Sequence, residues 1–107
     1  MLGITLETNK DFSISKAPSP EKRYESFKSL NFPRKMVSVE PILDFDVDKF
    51  GGWLISLKPE FVSIGADSKN HDLEEPTTDK VKMLLNMLME AGVKIIEKDN
   101  LKRLEIK

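Results

Sequence analysis

The sequence predicts a parallel α/β domain, and three observations carry that reading. Strand-like and helix-like patterns alternate along the chain in the order β-α-β-α-β-α-β. The two longest connections, residues 8–19 and 67–76, both leave the C-terminal end of a strand. Acidic residues fall where strands hand over to loops. Strands alternating with helices of this length call for a parallel sheet with right-handed crossovers.

The first strand pattern, residues 2–7, alternates around Ile4 and Leu6 and ends at Glu7. The first helical pattern opens with Ser19 as N-cap and Pro20 at the first helical position, where a missing N–H leaves no bond unmade. Tyr24, Phe27 and Leu30 then recur on one face. The second strand, residues 36–40, runs Val37-Ser38-Val39-Glu40 and is broken by Pro41. Asp44 and Asp46 follow and read as turn and cap residues.

A second helix begins near Asp46, with Val47, Phe50, Leu54 and Leu57 at helical spacing. Its Gly51-Gly52 pair weakens it by about 1 kcal/mol per glycine relative to alanine. Trp53 falls beside the stripe and is expected to be half-buried against the sheet or a partner. Residues 61–66 form a short apolar run rich in β-formers, the third strand. The third helix has Thr77 or Thr78 as its cap, then Val81, Leu84, Leu85, Leu88 and Ala91 in register, with Gly92 placed to end it. Met83 and Met87 flank that stripe as gap-filling core. Residues 93–97 make the fourth strand, and a helical turn at 99–104 closes the chain.

At 107 residues the chain is a single domain, residues 1–107. A net charge of −1 gives no whole-protein argument for binding nucleic acid or an anionic membrane. No apolar run approaches the roughly 18 residues of a membrane span, and the N-terminus has no basic-then-apolar signal. The default expectation is therefore the cytoplasm. The absence of cysteine excludes a disulfide, a thiolate nucleophile and a cysteine-ligated zinc or iron–sulfur site built from this chain alone. Neither GxGxxG nor a P-loop is present. The single histidine, His71, lies with Asp72, Glu74 and Glu75 in a charged loop that reads as solvated rather than metal-binding. Arg34-Lys35 reads as a solvated connector at the sheet edge opposite the acids.

In parallel α/β architectures the ligand site lies at the C-terminal ends of the strands. Glu7 and Glu40, each directly ending a strand pattern, are read as site residues there. Asp67 occupies the equivalent place after the third strand, where Asp67-Ser68 reads equally as a solvated turn or as part of the site. No catalytic residue is assigned. A (β/α)₈ barrel runs to about 250 residues, so this chain has the length of half a barrel. The fold expectation is a four-stranded half of a TIM-like β/α barrel, its C-terminal half, or a rearranged open sheet. Four strands cut from a barrel leave two open edges. Ile4, Leu6, Val37, Val39, Val62 and Ile64 supply apolar residues for both sheet faces, so one apolar face needs cover. The expected partner is a second copy in a homodimer, or a missing N-terminal half-barrel.

The stretches LGITLETN, KMVSVEPILDFD and PEFVSIGADSKNH, and a final strand ending EKDNLKRL, resemble the last βα units of radical-SAM-type barrel proteins. The similarity is greatest to a largely uncharacterised, phage-associated branch of that superfamily and spans nearly the whole chain. It implies that Glu7, Thr8 and Asn9 match a polar strand end, Glu40 a Glu-Pro strand end, and Gly65, Asp67 and Ser68 a Gly-rich strand exit. Such enzymes hold a [4Fe–4S] cluster through three cysteines after the first barrel strand, and nothing of that loop is present. The resemblance therefore implies a ligand-binding or scaffolding half without catalytic activity of its own. It binds no cofactor alone, and meets S-adenosylmethionine and a [4Fe–4S] cluster only when an N-terminal half completes the barrel. The alternative is a free-standing flavodoxin-like or receiver-like module acting through protein contacts. No strand here ends in the paired acids with which a receiver holds Mg²⁺, and its lysine would have to be Lys98.

Overall fold

A computed structural model of the chain describes residues 1–10, 19–30, 32–66, 75–98 and 101. The elements run β1 (Leu2–Thr5), α1 (Pro20–Ser29), β2 (Lys35–Val39), α2 (Val47–Ser56), β3 (Phe61–Ile64), α3 (Thr78–Glu90) and β4 (Ile95–Glu97). The expected alternation is therefore the observed one; β1, β3 and β4 are each two residues shorter at one end, and β2 lies one residue earlier than expected. The strands form one all-parallel sheet in the order β1-β2-β3-β4.

Local signals account for the helix ends. Ser19 caps α1, its Oγ accepting the Lys22 N–H at 3.3 Å, and Pro20 opens the helix. The Lys35 ammonium donates to the Phe27 carbonyl at 2.8 Å, placing a positive charge at the helix's negative end. Leu30 does not continue the helical face as expected. It takes an extended conformation as C-cap and is exposed. Thr77 caps α3 through the Lys80 N–H at 3.2 Å. At the other end Gly92 adopts φ +80°, and the N–H groups of Gly92 and Val93 return to the carbonyls of Met89 and Leu88. These are the two bonds of a Schellman motif, and only glycine takes that φ without a Cβ penalty.

Consecutive helices touch one another. The ring of Tyr24 on α1 stacks on Trp53 of α2, with centroids 4.6 Å apart and planes 5° from parallel. Ser56 Oγ donates to the Trp53 carbonyl, so the Tyr24 hydroxyl is the donor in its 2.6 Å bond to Ser56. Trp53 is thus buried against α1, more deeply than the half-burial expected of it. Between α2 and α3, Gly51 lies directly beneath the Met87 sulfur, which fills the space a side chain at position 51 would take. Met87 is gap-filling core as expected. Met83 is not, being 55% exposed, and Ala91 also lies at the surface.

Helices packed side by side in this way share one face of the sheet. The register places Ile4, Val37, Val62 and Ile95 in one transverse row. Their alternation puts Leu6, Val39 and Ile64 on the same side, against Phe27, Phe50, Leu54, Leu84 and Leu88 in a single core. This corrects the expectation that the six apolar strand residues divide between two faces: all six lie under the helices. The opposite face carries the row Thr5, Ser38, Ser63 and Ile96. Leu101 is also buried, while the rest of the helical turn expected at 99–104 lies outside the described residues.

Two measurements test this packing. Leu88 is fully buried, so Leu88→Ala is expected to lose about 2–5 kcal/mol in urea unfolding. Gly52 sits inside α2 with nothing within 4 Å of where a Cβ would stand. Gly52→Ala is accordingly expected to stabilise the chain by about 0.5–1 kcal/mol in the same assay.

Candidate functional site

Parallel pairing brings all four strand exits to one edge. Extending the register two residues beyond Thr5, Ser38, Ser63 and Ile96 aligns Glu7, Glu40, Gly65 and Lys98 on the face away from the helices. The ladder continues that far, since the Gly65 N–H donates to Val39 O at 2.9 Å and the Lys98 N–H to Ile64 O at 2.8 Å. Three of the residues expected at the site, Glu7, Glu40 and Gly65, therefore stand in one row.

Glu40 and Lys98 belong to strands two spacings apart, about 9.6 Å, yet their side chains meet with Nζ 3.3 Å from Oε2. Gly65 on the strand between them makes this possible. A Cβ there would stand 3.0 Å from Glu40 Cδ and 3.1 Å from Lys98 Cγ, tighter than ordinary contact. Glycine is needed here for the close approach and not for its φ. Glu7 pairs instead with Arg23, whose Nη2 lies 2.9 Å from Oε2 while its Nη1 donates to the Thr5 carbonyl at 2.7 Å. Arg23 reaches from α1 across the β1 edge to do so. Each carboxylate of the row is thus half-buried and matched by a cation.

Thr8 and Asn9 have a different employment. Thr8 is 2% exposed; its hydroxyl donates to the Asp44 carbonyl at 2.5 Å and accepts the Lys10 N–H. Asn9 brackets Asp46, accepting its N–H at 2.8 Å and donating to its carboxylate at 3.1 Å. Asp46 is the N-cap residue of α2 but makes no side-chain cap bond, because that carboxylate is turned to Asn9. The segment after Pro41 completes the tie. Ile42 N–H donates to Gly65 O and Leu43 N–H to Glu7 O, so the β2 exit bridges the exits of both neighbours.

Asp44 is the hub of this loop pair. Its carboxylate takes Lys80 Nζ at 2.7 Å and Lys10 Nζ at 3.0 Å. Burial alone pushes the Asp44 carboxyl up, but the hydrogen bonds and charges of Lys80 and Lys10 outweigh it and hold the pKa below the ordinary carboxylate value. At the opposite edge Arg34 forks onto Glu60 at 2.9 and 3.1 Å, and Lys35 is the first residue of β2. Arg34 is exposed, as expected of a solvated connector, and its ion pair with Glu60 leads directly into β2.

Asp67 and Ser68, the remaining expected site residues, lie outside the described residues, as do His71, Asp72 and Glu74. Among the described residues no group of three or more acids and histidines is placed to hold a metal ion. Lys98 was within reach of the sequence, for the strand-end position that selects Glu7 and Glu40 selects it too when cations are admitted beside acids. Arg23 had no such signal.

The Asp44 cluster sets an acid limit on the fold. A carboxyl whose folded pKa is depressed stabilises the protein above its unfolded pKa, and that stability is lost as pH falls through the folded value. Asp44→Asn is therefore expected to lower stability at neutral pH by roughly 1 kcal/mol. The difference from the parent chain should vanish below the carboxylate range, as read from urea midpoints across an acid series. No known protein family, curated protein or solved structure matches this chain, so its affinities rest on the fold and the residue row described above.

Proposed function

We propose that this chain is the ligand-binding half of a radical-SAM-type β/α barrel, with the row Glu7, Glu40, Gly65 and Lys98 as the floor of its site. The observation that carries the reading is that row: matched acids and cations on the helix-free face, at the strand ends where β/α barrels bind their ligands. Thr5, Ser38 and Ser63 continue the polar lining below it. The row suits a ligand with both an amine and a carboxylate, because each group would meet an opposite charge held on a rigid strand end. S-adenosylmethionine fits that description. A [4Fe–4S] cluster does not fit the residues present, since the chain has no cysteine. Any such cluster belongs to the half that completes the barrel, and the radical chemistry with it. Thr8 and Asn9 serve the site by bracing the loops beside it, and the setting is cytoplasmic.

The rival reading, a flavodoxin-like or receiver-like module, has less support. Flavodoxin-like sheets run 2-1-3-4-5, with helices on both faces, whereas the order here is sequential and consecutive helices pack on one face. Lys98, the lysine a receiver would need, is occupied by Glu40.

Calorimetric titration with S-adenosylmethionine tests the proposal. Binding is expected, weakened at least tenfold by Glu40→Gln and by Lys98→Met. Absence of binding at millimolar ligand, or affinity untouched by both substitutions, refutes the assignment.

A further inference from the structure

The two open edges of the sheet are built alike. At one, a groove of about 470 Å³ runs between β1 and α1, lined by Leu2, Ile4, Phe27 and Leu30 with Lys22 at its rim. At the other, a groove of about 490 Å³ lies between α3 and β4, lined by Leu85, Met89 and Ile95 together with Lys82, Asn86 and Glu97. Leu30, Met89 and Ile96 are among the exposed large apolar side chains, and all three stand at these edges.

The backbone at both edges is also available. Leu2 and Leu6 donate their N–H groups toward β2, so by parallel alternation the peptide groups of Gly3 and Thr5 point outward. Val62 donates to the Lys94 carbonyl and Lys98 to Ile64, so the peptide groups of Ile95 and Glu97 point outward on β4. Arg23 occupies the Thr5 carbonyl, which leaves the Gly3 N–H and C=O and the Thr5 N–H for a ladder. No proline or bulge blunts β1.

We infer that two copies of this chain close into one eight-stranded parallel barrel, β4 of each pairing with β1 of the other about a two-fold axis along the barrel. The inference rests on the half-barrel reading above and names what completes it. A second copy is the occupant because this chain carries both required edges, each with its own apolar groove. Four strands and four make the eight at which a parallel barrel closes around a side-chain-filled interior. One rotation then removes every open edge. The helix-free face becomes the interior, with two equivalent site rows at one end.

Light scattering on the full 107-residue chain should give a dimer mass at micromolar concentration, and the cysteine-free background permits a direct test of which edges meet. Closure at the shear of eight staggers each of the two seams by four residues and sets Leu2 of one copy opposite Glu97 of the other. Copies carrying Leu2→Cys mixed with copies carrying Glu97→Cys should therefore oxidise to a covalent dimer, while either variant alone should stay monomeric on a reducing-agent-free gel. Thr5→Pro should give a folded monomer by scattering and circular dichroism, because that N–H serves no internal ladder bond. A monomer mass across a hundredfold dilution overturns the closure. So does cross-linking of Leu2→Cys with itself, which reports antiparallel β1–β1 pairing. The ligand titration separates this inference from the proposed function. A dimer without affinity for S-adenosylmethionine keeps the closure and rejects the ligand, and a monomer with affinity does the reverse.

Discussion

The sequential order of four parallel strands is the constraint on which the rest of this structure depends. Each crossover between parallel neighbours is right-handed with few exceptions. When every crossover steps in the same direction along the sheet, every helix lands on the same face. Tyr24 on Trp53 and Met87 over Gly51 show the helices arriving there as neighbours. One face of the sheet is consequently apolar and sealed. The other carries none of the helices among the described residues and presents Thr5, Ser38 and Ser63. A strand order that reversed direction would have divided the helices between the faces and left no such polar surface.

Given that asymmetry, the strand exits form one ordered edge because the backbone there is held from several directions. The β2 exit hydrogen-bonds to both neighbours through Ile42 and Leu43, with Ile42, Leu43 and Phe45 buried beneath it. Thr8, Asn9, Asp44 and Asp46 lock the first exit to the second, and Lys80 extends the lock to α3. Glu7 and Glu40 are thereby carried on rigid backbone rather than on free loops. The glycine at position 65 adds the last requirement, an absence of side chain that lets Glu40 and Lys98 cross a strand. Charge at the row is matched within the chain.

Much of this was legible in the sequence because it is governed by short-range rules. The caps at Ser19 and Thr77, the stop at Gly92 and the exit at Pro41 are decided by chemistry within a few residues. So is the stripe of Val81, Leu84, Leu85 and Leu88. The acids Glu7 and Glu40 were found by the same local logic, since each directly follows an alternating strand. Leu30, Met83 and Ala91 continue helical patterns in sequence yet lie at the surface, where no neighbouring element among the described residues covers them. Periodicity fixes which side of a helix they share but not how far the core extends along it.

The sequence by itself determined the element order, the parallel class of the sheet and the placing of two carboxylates at its C-terminal edge. All three follow from local pattern and chain connectivity. Only the tertiary structure decided which face the helices take, which cation meets which acid, and that Thr8 and Asn9 brace loops. Arg23 is 16 residues from Glu7, and Lys98 is separated from Glu40 by two strands and two helices. The physical reason is that such pairings depend on strand register and on a side-chain gap at Gly65, both of which come into being when the sheet assembles.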